Sequence, residues 1–326
     1  MRTFIALVFL VLLAVGGWLA WGLLQPATPS GQKFVMLRPG YSTRKIANEL
    51  KAAGVIENTR SFLLWHYLHP SQSLKAGEYL FEKPANSIEI YRRLVAGDIY
   101  VHTVVIPEGY TMFDVAKAMD AAGLGPSDTF LKLFETNTSL ISDLAPEAQS
   151  LEGYLFPNTY EFTRTQTAAE MVAAMVKQFR AVAQQVGLNT DVNKTVTMAS
   201  IVEKETGAPE ERPLVASVYY NRLKKNVALD ADPTIIYGEL LNNSYQGALH
   251  HADMQVDSPY NTYRHTGLPP GPIGNPGKSS LEAALHPATS NYLYFVSNGN
   301  GHHRFAATLE EHNRNVAAYR EAVRNR

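Results

Sequence analysis

The chain has 326 residues, with 29 Lys and Arg against 30 Asp and Glu, a formal net charge of −1 and charged residues at 18 %. This near-neutral balance provides no basic footprint for nucleic acid. The absence of cysteine excludes a lipid-modified N-terminal cysteine, thiol catalysis and cysteine-based zinc sites, and leaves core burial to stabilise the fold.

Residues 4–24 carry no charge and are almost wholly apolar. At about 21 residues this run matches the roughly 20 needed to cross a bilayer. A cleaved signal peptide is the alternative reading, with Arg2 as a small n-region. The length of the run, Trp18 and Trp21 near its end and the lack of an A-x-A site favour an uncleaved anchor. Residues 1–3 then form a short cytoplasmic tail and 4–24 a single transmembrane helix. Arg2 precedes the span and Lys33 is the next charge after it, so the positive-inside rule puts the short N-terminus in the cytoplasm and the rest of the chain on the extracytoplasmic side. Residues 25–33, rich in Pro, Gly and Ser, read as a linker.

Beyond the linker the chain repeats itself. Phe34-Val-Met-Leu and Gly40-Tyr-Ser42 precede a helical pattern with Ile46, Ala47 and Leu50, ending at Ala52-Ala-Gly54. Thr103-Val-Val-Ile and Gly109-Tyr-Thr111 precede Val115, Ala116 and Met119, ending at Ala121-Ala-Gly123, a constant offset of 69 residues. Each copy continues through a second helix, at Phe62 or Phe130, to a strand read at Gly77-Glu-Tyr-Leu-Phe81 or Gly153-Tyr-Leu-Phe156. A further helix follows in each. Strand–helix–helix–strand plus helix suggests two small α+β modules in tandem. The alternative is that the shared residues are generic helix-start chemistry. The first copy, residues 34–99, resembles a LysM-like βααβ module, a unit associated with N-acetylated glycans.

Residues 197–207, Thr-Met-Ala-Ser-Ile-Val-Glu-Lys-Glu-Thr-Gly, read as a helix whose apolar stripe is interrupted by a carboxylate. Met198, Ile201, Val202 and Glu205 fall on one face, and Glu203 and Lys204 point away from it. A carboxylate on the core face is desolvated, and the negative end of the helix dipole acts in the same direction, so both favour a neutral acid at Glu205. A helix-end Glu paired with an Arg is the bland alternative. A second helix is expected from Glu210 to Lys225, with Leu214, Val215, Val218 and Arg222 on one face. Asp232-Pro233 reads as an N-cap followed by Pro at N1, opening a helix to Tyr237. Tyr292–Val296 and His303–Ala306 read as a hairpin, and a last helix is expected from Leu309 to Val323.

Tyr260-Asn-Thr-Tyr263, Gly267-Leu-Pro-Pro-Gly-Pro-Ile-Gly274 and Asn275-Pro-Gly277 form a stiff non-helical segment suited to a cleft wall, or else a connecting loop. Tyr260, Asn261 and Tyr263 suit sugars, with an aromatic face for a pyranose and an amide for hydroxyl or N-acetyl groups. Histidines cluster after residue 250 but lack an H-E-x-x-H spacing. Ser200 lacks a Gly-x-Ser-x-Gly context, and no phosphate-binding glycine loop appears. We therefore expect no catalytic metal, no serine nucleophile and no cofactor.

With these segments in view, the chain resembles the endolytic murein transglycosylases of the YceG-like family. The matching segments are Glu152-Gly-Tyr-Leu-Phe-Pro-Asn-Thr-Tyr160, Ala199-Ser-Ile-Val-Glu-Lys-Glu-Thr206, Val218-Tyr-Tyr-Asn-Arg-Leu223, Asp232-Pro-Thr-Ile-Ile-Tyr-Gly238, Tyr260-Asn-Thr-Tyr263, Gly267-Leu-Pro-Pro-Gly-Pro-Ile273 and Tyr292-Leu-Tyr-Phe-Val296. Asn158 departs from the Asp that family members often carry. The resemblance implies an α+β chain: a single N-terminal transmembrane helix, the LysM-like module, then a larger mixed α+β catalytic domain at residues 100–326 with a helical lobe and a β-hairpin. It implies a membrane-anchored lyase that cuts peptidoglycan glycan strands internally between N-acetylmuramic acid and N-acetylglucosamine, with Glu205 catalytic. Tyr260, Asn261, Tyr263 and Glu152 are the candidate substrate-binding residues, and penicillin-binding peptidoglycan synthases are the implied partners. A hydrolytic muramidase using Asp230, Asp232 or Glu152 as second carboxylate, and a non-catalytic cell-wall-binding scaffold, are the competing readings.

Overall fold

The computed structural model describes residues 1–324. In chain order the elements are α1 (Arg2–Leu24), β1 (Lys33–Leu37), α2 (Thr43–Ala52), α3 (Thr59–Tyr67), β2 (Gly77–Phe81), α4 (Ser87–Ala96), β3 (His102–Ile106), α5 (Met112–Ala121) and α6 (Ser127–Thr136). They continue with β4 (Asn158–Phe162), α7 (Ala168–Gln185), α8 (Val192–Glu205), α9 (Arg212–Lys224), α10 (Asp232–Leu241), α11 (Lys278–Leu285), β5 (Tyr294–Ser297), β6 (His303–Ala306) and α12 (Leu309–Arg324). The fold is mixed α+β, with small two-stranded sheets β1–β2, β3–β4 and β5–β6. Two compact units divide it: Met1–Thr103 with Glu161–Thr167, and Val104–Tyr160 with the chain from Ala168 onward.

In the first unit, helix starts follow from short polar side chains. Ser42 accepts from the Lys45 amide, Asn58 from Arg60 and Ser61, and Asn86 with Glu89 forms a capping box. Strands β1 and β2 pair antiparallel from Lys33 opposite Phe81 to Leu37 opposite Gly77. Val35 and Leu37 on alternate positions of β1 meet Leu50, Phe62, Tyr79 and Leu94 in one apolar core. α1 is 23 residues long and apolar enough to cross a membrane. The segment after it, read from sequence as a linker, is held in place. Ala27 is buried and exchanges both backbone hydrogen bonds with Ala85, at 3.0 and 3.2 Å.

The second unit begins with the same chemistry. Gly109 and Gly123 adopt φ of +77° and +71°, as Gly40 and Gly54 do at +85° and +72°. Thr111 caps α5 with Asp114, as Ser42 caps α2. One expectation is corrected here. Gly153–Phe156 is a turn, and the strand that pairs with β3 is β4, where Tyr160-Glu-Phe162 matches Tyr79-Leu-Phe81 of β2. Gly153 sits at φ +88°, and the amides of Tyr154 and Leu155 are taken by Leu151 and by the Asn275 side chain, so no extended ladder can form there. A Cβ at Gly153 would lie 2.6 Å from Pro272 and 2.8 Å from Val196. Gly153→Ala is therefore expected to lower stability by about 2 kcal/mol or more, read as a drop in the urea midpoint.

The core of this unit is built around α8. From Val192 to Val202 nearly every residue is buried, polar Thr197 and Ser200 included. Both hydroxyls turn back to helix carbonyls, Thr197 to Asn193 and Ser200 to Thr197. The helix is therefore surrounded rather than two-faced.

Candidate active site

α8 stops at Glu205 because Thr206 is extended (φ −137°, ψ 129°). Gly207 and Pro209 follow and do not continue the helix. The Glu205 side chain thus stands at the carbonyl end of α8. It is half-buried in the wall of a cavity of about 430 Å³, lined also by Tyr219, Arg222, Asp230, Asp232, Tyr263, Tyr294 and His312. Its partner is a phenol rather than an Arg: the Tyr219 hydroxyl donates to Oε1 at 2.7 Å. Burial pushes the Glu205 carboxyl up to about 7, opposed by the Tyr219 hydrogen bond and assisted by the negative charge of Asp232.

The other charged groups of the cavity also have partners, Arg222 pairing with Asp230 and Asp232 with the Tyr263 hydroxyl. Arg222 of α9 donates to the carbonyls of Leu293 (2.7 Å), Ala228 (2.8 Å) and Leu229 (3.1 Å), and to Asp230 Oδ2 at 2.8 Å. Its guanidinium lies over the Tyr294 ring at 5.2 Å. One side chain thereby ties β5 and the turn before α10 to α9. Asp232 does not cap α10 as expected; Ala231 occupies the N-cap position and Asp232 the first helical one. Its carboxylate instead accepts from the Tyr263 hydroxyl at 2.7 Å, facing the cavity. Next to Arg222, His312 of α12 stacks on Tyr294 at 5.1 Å, and burial depresses its basicity.

Among the expected sugar-binding residues, Tyr263 shares the cavity with Glu205. Asn261 is buried and shapes the loop that presents Tyr263. Its Nδ2 donates to Met254 and Val256 carbonyls and its Oδ1 accepts from the Tyr263 amide. Tyr260 packs on Tyr237 at 5.0 Å and lines a separate, small depression with Asn193 and Pro270. Glu152 is buried away from the cavity, accepting from the Met112 amide at 2.9 Å and from Asn275 Nδ2 at 3.0 Å. Burial pushes its carboxyl up to about 8. Pro272–Gly277, read as a cleft wall, is buried as a strap behind α8, where the Ile273 amide donates to Ser200 Oγ at 3.0 Å.

Glu203 differs from its expected solvent-facing position. Its side chain is 5 % exposed and pairs with Arg212 at 2.7 Å, while the Gly277 amide donates to it at 2.9 Å. Tyr219, Tyr294 and His312 were not singled out from sequence. They reach the cavity from α9, β5 and α12, and no local spacing connects those elements to Glu205.

Residues 35–318 match the model of the YceG-like family. The chain belongs to the YceG-like family. It is 34 % identical over 331 residues to the endolytic murein transglycosylase of Bacillus subtilis, covering 94 % of this chain and 91 % of that one. It is 31 % identical over 352 residues to the protein of the same name from Streptococcus pneumoniae, covering 96 % of this chain and 64 % of the pneumococcal one. A crystal structure of a YceG-like protein from Listeria monocytogenes is similar at 35 % identity and a TM-score of 0.57, covering 87 % of this chain and 98 % of that one. In this member of the family the cavity carboxylates Asp230 and Asp232 have Arg222 and Tyr263 as partners, and burial raises the Glu205 carboxyl toward neutrality.

Proposed function

We propose that this chain is an endolytic murein transglycosylase: a membrane-anchored lyase that cuts peptidoglycan glycan strands between N-acetylmuramic acid and N-acetylglucosamine and so ends nascent-strand elongation. The names of its relatives support the activity. The observation that carries the chemistry is Glu205, a carboxyl pushed up to about 7 in a cavity, held by Tyr219 and with no cationic partner among the described residues. The protonated Glu205 donates to the glycosidic oxygen as the bond to C1 breaks. The resulting carboxylate then accepts the proton of the muramyl 6-hydroxyl while O6 bonds to C1. The products are a 1,6-anhydro end and a free hydroxyl on the departing sugar, and no water is consumed. Because the nucleophile belongs to the substrate, its effective concentration replaces the help of a second carboxylate.

In this reading α1 is the anchor, leaving the rest of the chain on the extracytoplasmic face, and peptidoglycan synthases of the penicillin-binding class work beside it. The β1-α2-α3-β2 order of residues 34–99 supports the LysM-like reading of that module. Of the expected sugar-binding residues, we assign Tyr263 to direct contact with substrate. Asn261 acts by shaping the loop that carries Tyr263.

Asp230 and Asp232 line the same cavity, which favours a hydrolytic muramidase as the second reading. Mass spectrometry of digested sacculi distinguishes the two. Anhydro-muramyl ends support the lyase, and reducing ends the hydrolase.

A general acid works only when protonated, so the rate is expected to fall as pH rises through about 7. Tyr219→Phe removes a hydrogen bond that favours the charged form. It is expected to move this basic limb upward by about one to two pH units in a kcat/KM profile.

A further inference from the structure

The strongest unassigned feature lies in the first unit, where α1 leaves its apolar stretch. If α1 spans the bilayer, as proposed above, Arg2 stays at one headgroup layer. At 1.5 Å per residue, about 20 residues then cross the ~30 Å hydrocarbon layer. The helix exits near Gly22.

Gly22 is the buried residue of α1. A Cβ there would lie 2.6 Å from Ser61 Oγ and 2.8 Å from Asn58 Cβ, so α3 packs directly on the helix backbone. Ser87 Oγ donates to the Gly22 carbonyl at 3.0 Å, and Ala27 pairs with Ala85 three residues after the helix ends. No free tether separates the span from the module, so the start of α3 is fixed at headgroup depth.

A cavity of about 700 Å³ opens at this junction, lined by Trp18 and Trp21 of α1 and by Lys51, Glu57, Asn58 and Arg60. Arg60 lies over the Trp18 ring at 6.0 Å, about a turn and a half below the end of α1. Tryptophans at this level are the amphipathic residues that sit among lipid headgroups. Two cations against one carboxylate leave the cavity with net positive charge. Arg60 beside Trp18 has the lipid surface as its neighbouring solvent. The chemistry that satisfies these groups together is a phosphate esterified to an acyl-bearing glycerol, with the phosphate on Arg60 and Lys51 and the acyl chains along Trp18 and Trp21.

The geometry points to a phospholipid-binding site between the end of α1 and the start of α3, selective for an anionic headgroup, which fixes the module against the membrane surface. This inference rests on the anchor reading of α1, and the test separates the two.

The full chain is reconstituted in nanodiscs of phosphatidylcholine with about one-fifth phosphatidylglycerol. Retained lipid is counted by native mass spectrometry, and flotation with liposomes reports insertion independently. Wild type is expected to retain phosphatidylglycerol over phosphatidylcholine. Lys51→Gln and Arg60→Gln, both at exposed positions, should each lower that retention about fivefold and together about 25-fold, with flotation unchanged. Arg60→Lys should keep most of it, and millimolar inorganic phosphate should not displace the lipid. Equal retention by wild type and the double variant, with flotation intact, overturns the site and leaves the anchor standing. Displacement by inorganic phosphate overturns the lipid as its ligand. Failure of wild type to float overturns both.

Discussion

Glu205→Gln is expected to reduce glycan cleavage by at least about 10³-fold while the protein folds normally. One carboxyl is asked both to give a proton to the leaving oxygen and to take one from the incoming hydroxyl. Its loss removes general-acid and general-base assistance together, each commonly worth 10²–10⁴-fold. The amide is isosteric and can still accept the Tyr219 hydroxyl, now found at 2.7 Å from Oε1. No buried cation loses its partner. The sign of the stability effect follows from linkage. A Glu whose folded pKa is raised from 4.5 to about 7 destabilises the fold increasingly as pH rises between those values. The Gln variant lacks this loss, so at pH 8 its melting temperature should equal or exceed that of wild type. Assays on purified sacculi beside a thermal melt check both halves.

Glu203→Gln, two residues earlier, is expected to do the opposite. Its carboxylate is paired with Arg212, whose own side chain is 6 % exposed, and it also accepts the Gly277 amide. Removing one partner of a buried pair leaves the other charge desolvated, at a cost of about 3–5 kcal/mol. Glu108, 3.4 Å from Arg212 and half-exposed, compensates only in part. Urea unfolding should show a large midpoint shift. Variant that remains folded in mild buffer should still cleave, because Glu203 does not line the cavity. A Glu203 variant as stable as wild type but inactive would exchange the roles assigned to the two residues.

Those two carboxylates also show how far the residues speak for themselves. The end of α8 was legible because Thr206-Gly-Ala-Pro209 cannot prolong a helix, and the Glu205 direction was legible from its phase with Met198, Ile201 and Val202. The same phase argument misplaced Glu203, since it assumes that one face of a helix meets solvent. α8 is buried almost all round, and the charge that accommodates Glu203 arrives from Arg212 beyond a turn. Caps at Ser42 and Thr111 and the β5–β6 hairpin depend on neighbours a few residues apart, and they formed as read. Gly153–Phe156 shares residues with β2 yet turns, because Asn275, 120 residues away from Leu155, takes its amide. Asp232-Pro233 carries a cap signature, but Tyr263 claims the side chain. Long-range partners of this kind leave no periodicity in either segment. For that reason Tyr219, Tyr294 and His312 emerged only once the chain was folded.

The decisive measurement is a titration of the Glu205 carboxyl itself, by isotope-edited infrared difference between wild type and Glu205→Gln. The account predicts a protonated-carboxyl band that disappears with a midpoint near 7. A midpoint near the ordinary glutamate value of about 4.3 would contradict it, because the cavity would then hold no proton to deliver at neutral pH.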